Sequence, residues 1–127
     1  MKNLYFEPES TNEPKVEFNA ETGICMISGD CYPETGYYFF ENLHSWINNY
    51  ITEVKGSISF TINLRYFNTS SSRGLFILIT ILKKYKDEGG NVKLMWHYDK
   101  DDEYMLEEIK GYGEEANIDI IKIPEED

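Results

Sequence analysis

No stretch of this 127-residue chain is apolar for long enough to cross a membrane, and the run from Met1 to Glu7 lacks the apolar core of a signal peptide. The expectation is a cytoplasmic protein with no membrane insertion. Cysteine and histidine are scarce, two of each. Cys25 and Cys31 fall six residues apart on one extended segment, which separates them by roughly 20 Å at the usual rise per residue. They are expected to stay unpaired and half-buried, as suits a reducing compartment. There is no His-x-x-x-His or Cys-x-x-Cys spacing, so no metal is expected. Asp99, Asp101 and Glu103 have a superficial likeness to a calcium loop, but the glycine and the twelfth-position glutamate are missing. No glycine-rich phosphate cradle occurs either, and no cofactor is expected. A hydrolytic triad needs a base, and the only two histidines read as packing or surface residues: His44 beside Leu43 on a helix, His97 on the polar face of a strand. The chain is not expected to be an enzyme.

Positive charge is also short. Twelve Lys and Arg stand against 23 Asp and Glu, a net charge of −11, which excludes partners held by phosphate neutralisation, nucleic acid and anionic lipid alike. Residues 98–127 alone hold twelve acids and three lysines. That stretch is either a solvated helix face with a frayed tail or an acidic surface for a basic partner.

What is present is a regular alternation of short elements, enough for one domain over residues 1–127. Residues 1–14, with Pro8 and Pro14 among polar residues, predict an irregular lead-in. Lys15–Phe18 and Ile24–Gly29 predict a hairpin across residues 20–23. Pro33 and Glu34 are placed to start a first helix with Phe40, Leu43, Ile47, Tyr50, Ile51 and Val54 on its apolar face, ending at Gly56. Ile58, Phe60, Ile62, Leu64 and Tyr66 alternate with polar residues, so this strand is covered on one side only. The apolar run 75–82 reads as a helix and not a buried strand, because hydroxyl residues precede it, lysines follow it and Gly89-Gly90 stop it. Val92, Leu94, Trp96 and Tyr98 mark another half-buried strand. Asp101 or Asp102 caps a third helix bearing Met105, Leu106, Ile109 and Tyr112, and 118–121 supply a last strand. The fold class is therefore α/β, a mostly parallel mixed sheet with helices mainly on one face.

In this topology the loops Asn68–Ser72 and Asp99–Glu103 both leave the carboxyl ends of strands, where functional sites of such sheets collect. The segment Asn68-Thr69-Ser70-Ser71-Ser72 ends a strand and opens a helix. A hydroxyl there either caps the helix or, lying in the field of the unpaired N–H groups, takes a phosphate.

Three segments carry a family resemblance over nearly the whole chain: Ile27-Ser28-Gly29-Asp30-Cys31-Tyr32-Pro33-Glu34; Tyr66-Phe67-Asn68-Thr69-Ser70-Ser71-Ser72; and Trp96-His97-Tyr98-Asp99 with Asp101-Asp102 and Met105. The sequence resembles the SiaC family of bacterial regulatory phosphoproteins, a branch with the STAS-like fold of anti-anti-sigma factors. The resemblance implies that a partner kinase phosphorylates Thr69 and a PP2C-like phosphatase reverses it. It further implies that the unphosphorylated form binds and activates a diguanylate cyclase, linking the switch to cyclic-di-GMP and biofilm behaviour. Asn68, Ser70, Ser71, Ser72 and Arg73 would form the docking turn, with Tyr98, Asp99, Asp101 and Asp102 as an adjoining acidic loop. Against the more familiar Asp-Ser-Ser-Gly-Leu pattern the chain has Asn68 for Asp and two extra residues, Ser72 and Arg73, before Gly74-Leu75. That departure weighs against the alternative of an anti-anti-sigma factor bound to an anti-sigma kinase. A small domain holding a phosphate ligand at the same helix terminus is the other alternative.

Overall fold

In a computed structural model, residues 1–8, 13–31 and 36–126 are described. The elements run β1 (Leu4–Phe6), β2 (Lys15–Phe18), β3 (Ile24–Cys31), α1 (Gly36–Glu53), β4 (Ile58–Phe67), α2 (Thr69–Asp87), β5 (Val92–Asp99), α3 (Glu103–Ala116) and β6 (Ile121–Glu125). They form one six-stranded sheet in the order of the sequence. β1, β2 and β3 pair antiparallel, and β3 through β6 are parallel neighbours. The three crossovers advance in one direction, so right-handed connection puts all three helices on the same face. Burial follows: Phe60, Ile62, Leu94 and Trp96 are buried on the helix side, while the intervening residues on β4 and β5 are partly or fully exposed. None of the described helices is long and apolar enough to cross a membrane. The expected α/β domain with helices on one face is the fold observed.

Four expectations need correction. The lead-in is not wholly irregular, since Leu4–Phe6 pairs with Val16–Phe18. A three-residue strand leaves too little alternation to read; tertiary contacts hold it, with Asn3 Oδ1 accepting from Ala20 N at 2.8 Å and Trp46 Nε1 donating to Lys2 O at 2.8 Å. The last strand is displaced to Ile121–Glu125: Ile118 and Ile120 are buried, but as the connection beneath α3. Pro124 discourages a strand assignment, yet β6 is an edge strand and a missing N–H is tolerated there. Both cysteines are fully buried, not half-buried, and burial pushes the Cys25 thiol up to about 12 and Cys31 up to about 11. Val54 lies past the helix end and is 40% exposed. The proposed start of α1 at Pro33 and Glu34 lies outside the described residues.

A further correction concerns Tyr66, which is 53% exposed and not on the core face. The β3–β4 register runs Gly29↔Leu64 and then Asp30↔Tyr66, so Arg65 is an extra residue and the strand bulges. One inserted residue reverses which side chains face inward. Phe67 thereby turns to the core side, 6.1 Å from the Trp96 ring and 6.3 Å from Tyr112.

α1 crosses α2 closely because residue 74 is glycine. A Cβ there would lie 2.3 Å from Phe40 Cγ and 2.8 Å from Phe40 Cβ, atoms that cannot swing away. Gly74→Ala is therefore expected to lower stability by about 1–3 kcal/mol despite alanine's better helix propensity, measured by urea unfolding.

Candidate functional site

β4 delivers the chain to the carboxyl edge of the sheet, where Asn68 N donates to Cys31 O at 3.1 Å. Asn68 has extended dihedrals (φ −86°, ψ 177°) and is the N-cap of α2. Its Oδ1 accepts from Ser71 N at 2.9 Å and from the Ser70 hydroxyl at 3.2 Å, and its carbonyl accepts from Ser72 N at 2.9 Å. Capping thus falls to the asparagine, and the threonine is released from it.

The four hydroxyls that follow divide by exposure. Ser71 is 0% exposed, and the Cys31 thiol donates to its Oγ at 3.5 Å. Ser72 is half-buried, its hydroxyl hydrogen-bonded to the Tyr112 hydroxyl, which also donates to Ser72 O at 3.4 Å. Thr69 and Ser70 are exposed. Among the described residues no hydrogen bond engages the Thr69 side chain. It occupies the first helical position, in the field of the unpaired N–H groups. Arg73, one turn on at i+4, is exposed on the same side of the helix, and none of the ion pairs among the described residues includes it.

Behind this turn an aromatic cluster fills the gap where β4 leaves β5, whose pairing runs only to Ile62↔Trp96. Trp96 and Tyr112 stack at 5.6 Å and 14°, with Phe67 and Phe76 against Tyr112. Burial pushes the Tyr112 hydroxyl up to about 12, so it remains a donor at any physiological pH.

Sequence reasoning missed His44 as a neighbour of the site. Its Nε2–H donates to Gly74 O at 2.8 Å across the α1–α2 crossing, and it shares a cavity of about 220 Å³ with Phe40, Glu41, Ser70 and Arg73. Helical periodicity placed it beside Leu43, but nothing in the sequence relates position 44 to position 74. Burial, the largest cause, lowers its pKa below the usual histidine value.

The acidic loop is occupied with its own geometry. Asp99 Oδ1 accepts from Asp101 N at 2.9 Å, and Asp102 caps α3 by accepting from Met105 N at 3.0 Å. Asp99 and Asp101 are exposed, Tyr98 half-buried. The element that reaches the Thr69 turn is α3, through Tyr112, and not this loop's carboxylates. Lys83 and Lys86 of α2, Lys110 of α3 and Lys122 of β6 line a separate cavity of about 570 Å³, together with Glu114 and Asp119.

Residues 7–124 match the family described as SiaC family regulatory phosphoprotein. The chain belongs to the SiaC family. It is 26% identical over 118 residues to an uncharacterized protein of Pseudomonas aeruginosa (strain UCBPP-PA14), covering 93% of each chain. Its fold is similar to the crystal structure of apo-SiaC from Pseudomonas aeruginosa (TM-score 0.89, 24% identity, 97% of this chain and 99% of that one). It is equally similar to the crystal structure of diguanylate cyclase SiaD in complex with its activator SiaC from the same organism (TM-score 0.89, 24% identity, 96% and 99%). This SiaC-family chain is thus a regulatory phosphoprotein by family, and its fold matches over nearly its full length.

The burial of His44 has a consequence for stability. Its folded pKa lies below the unfolded value near 6.5, so between the two the unfolded chain binds the extra proton and stability rises with pH. The contribution is complete above about pH 6.5 and is lost as pH falls through the folded value. The melting temperature of the wild type is expected to drop more between neutral and mildly acidic pH than that of His44→Gln. Parallel slopes would contradict it.

Proposed function

We propose that this SiaC-family chain is a phosphorylation-controlled protein-binding switch with Thr69 as the phosphoacceptor. The observation that carries this reading is the division of labour at the α2 terminus: Asn68 caps, Ser71 and Ser72 point inward, and Thr69 stands exposed with its hydroxyl free among the described residues. A kinase needs such a hydroxyl. A partner kinase adds the phosphate and a PP2C-like phosphatase removes it. The unphosphorylated form binds and activates a target, and the naming of SiaC as activator of the diguanylate cyclase SiaD makes such a cyclase the best-supported target class. The chain acts by binding and not by catalysis, which agrees with its two histidines being engaged elsewhere, His44 on Gly74 O and His97 Nδ1 against Glu125 Oε1 at 3.2 Å.

The phosphate would add about 1.5 to 2 negative charges at the first turn. The helix terminus and Arg73 favour it, and among the described residues Thr69 makes no side-chain hydrogen bond for it to break, so the fold survives. A partner that packed closely over the bare hydroxyl would have to bury the phosphate, and that is prohibitive without matching cations.

Incubation of the purified protein with lysate of its own host and ATP, followed by peptide mass spectrometry, tests the site. One phosphate is expected on Thr69, absent in Thr69→Ala and retained in Ser70→Ala. Phosphate mapping to Ser70, the other exposed hydroxyl, would overturn the assignment. Thr69→Glu is expected to lose target binding by about two orders of magnitude while its melting temperature stays within a few degrees of wild type.

A further inference from the structure

Four of the ten lysines of this acidic chain line one cavity of about 570 Å³. Lys83 and Lys86 come from α2, Lys110 from α3 and Lys122 from β6, so three separate elements converge on it. Lysines in the last turn of a helix ordinarily offset its dipole, and that accounts for Lys84 and Lys86. It does not account for Lys110, which sits in mid-helix, or for Lys122, which sits on a strand. Nor are these charges spent within the chain. Lys83 Nζ pairs with Asp87 Oδ1 at 2.8 Å, but Lys110 Nζ comes no nearer than 3.6 Å to Glu107 Oε1. Lys122 Nζ donates to Ile120 O at 3.3 Å, a neutral acceptor. None of the ion pairs among the described residues includes Lys86 or Lys122. The carboxylates of Glu114 and Asp119 also line the cavity, and four ammonium groups against those two leave a local excess of positive charge on a chain of net charge −11.

We infer that this cavity is a binding site for a small oligophosphate, an anion carrying two or more phosphate groups close together. Ammonium groups gathered in one place repel, and an anion seated among them replaces that repulsion with attraction. The acidic surface as a whole bars an extended polyanion such as nucleic acid. A compact anion inside the cavity responds instead to the groups within a Debye length, about 8 Å at physiological salt. Cations contributed by α2, α3 and β6 are engaged together only by an anion with several charged oxygens, which favours linked phosphates over a single carboxylate or phosphate. The described lining includes Ile109, Ile118 and Asn117 but no aromatic ring, so no surface is offered for stacking a nucleobase, and the phosphates are the part recognised. The site is separate from the phosphoacceptor turn: Lys83 follows Thr69 by 14 residues on α2, which is about 21 Å along the helix axis. Nothing in the inference depends on Thr69 accepting phosphate.

Isothermal titration calorimetry with sodium pyrophosphate, at an ionic strength held constant with sodium chloride, tests the site. One pyrophosphate per chain is expected, with Kd of about 100 μM or below, and orthophosphate should bind about tenfold more weakly or worse. Lys86→Gln with Lys110→Gln should weaken pyrophosphate binding about tenfold or more, and arginine at both positions should restore it to within about threefold. Both side chains are exposed, so the ligand-free melting temperature of these variants should stay within a few degrees of wild type. ADP should bind no more tightly than pyrophosphate. No pyrophosphate binding, equal affinity for orthophosphate, or an affinity unchanged by the two glutamines would each overturn the site. Loss of binding in Arg73→Ala with the lysine variants unaffected would place the anion at the Thr69 turn and overturn it as well. ADP binding about tenfold tighter than pyrophosphate would overturn the choice of ligand, because a nucleoside would then be recognised.

Discussion

The hydrogen bond from Ser71 N to Asn68 Oδ1 decides what every hydroxyl near it is free to do. A helix terminus demands an acceptor for its first amides, and in a run of five polar residues any of several side chains qualifies. With asparagine in the cap position, the next residue enters the helix with its side chain directed outward and unneeded. Had the cap fallen one residue later, Thr69 would be tied to the backbone and its modification would open the first turn. The cap also fixes the phase of α2: Ser71, Gly74, Leu75 and Leu78 face the core, and Thr69, Ser70 and Arg73 are left outside.

The second constraint is the extra residue in β4. The bulge at Arg65 turns Phe67 inward as the strand leaves β5, and Phe67 joins Trp96, Tyr112 and Phe76 in a stack that fills the opening. Tyr112 is the member that faces both ways. Its ring belongs to the core and its hydroxyl holds the Ser72 side chain and carbonyl, so the third helix is fastened to the first turn of the second. The Thr69 turn therefore rests on a packed aromatic floor.

Most of this architecture was legible because its elements are long and periodic. β4, α2, β5 and α3 each carry several turns or repeats of a single pattern, and the choice of helix for 75–82 followed from the hydroxyls before it and the glycines after it. What escaped was short or non-local. Leu4–Phe6 has three residues, and its pairing depends on Asn3 and Trp46 contacts that sequence spacing does not reveal. The reversal of Tyr66 and Phe67 depends on a register shift against β3, invisible in β4's own alternation. The same limit applies at the site. The turn itself was legible as a local cap motif, whereas its neighbours His44 and Tyr112 come from 30 and 40 residues away; in the acidic loop the Asp99 side chain holds the loop's own turn and Asp102 caps α3.

Under the proposed switch, the fold and the interface respond to one phosphate with opposite signs, and the magnitudes determine which response matters. At a helix N-terminus a negative charge is favourable by about 0.3–1 kcal/mol. Against a closely packed partner the same charge, once stripped of water and unpaired, costs several kcal/mol. The difference means that regulation requires no unfolding and no domain motion, only a surface rigid enough that the partner cannot move aside. Such a mechanism also favours a chain with surplus negative charge. Arg73 is the sole basic residue within a turn of Thr69 on its helix, and four of the ten lysines line a separate cavity, so the helix supplies a single cation to soften the phosphate.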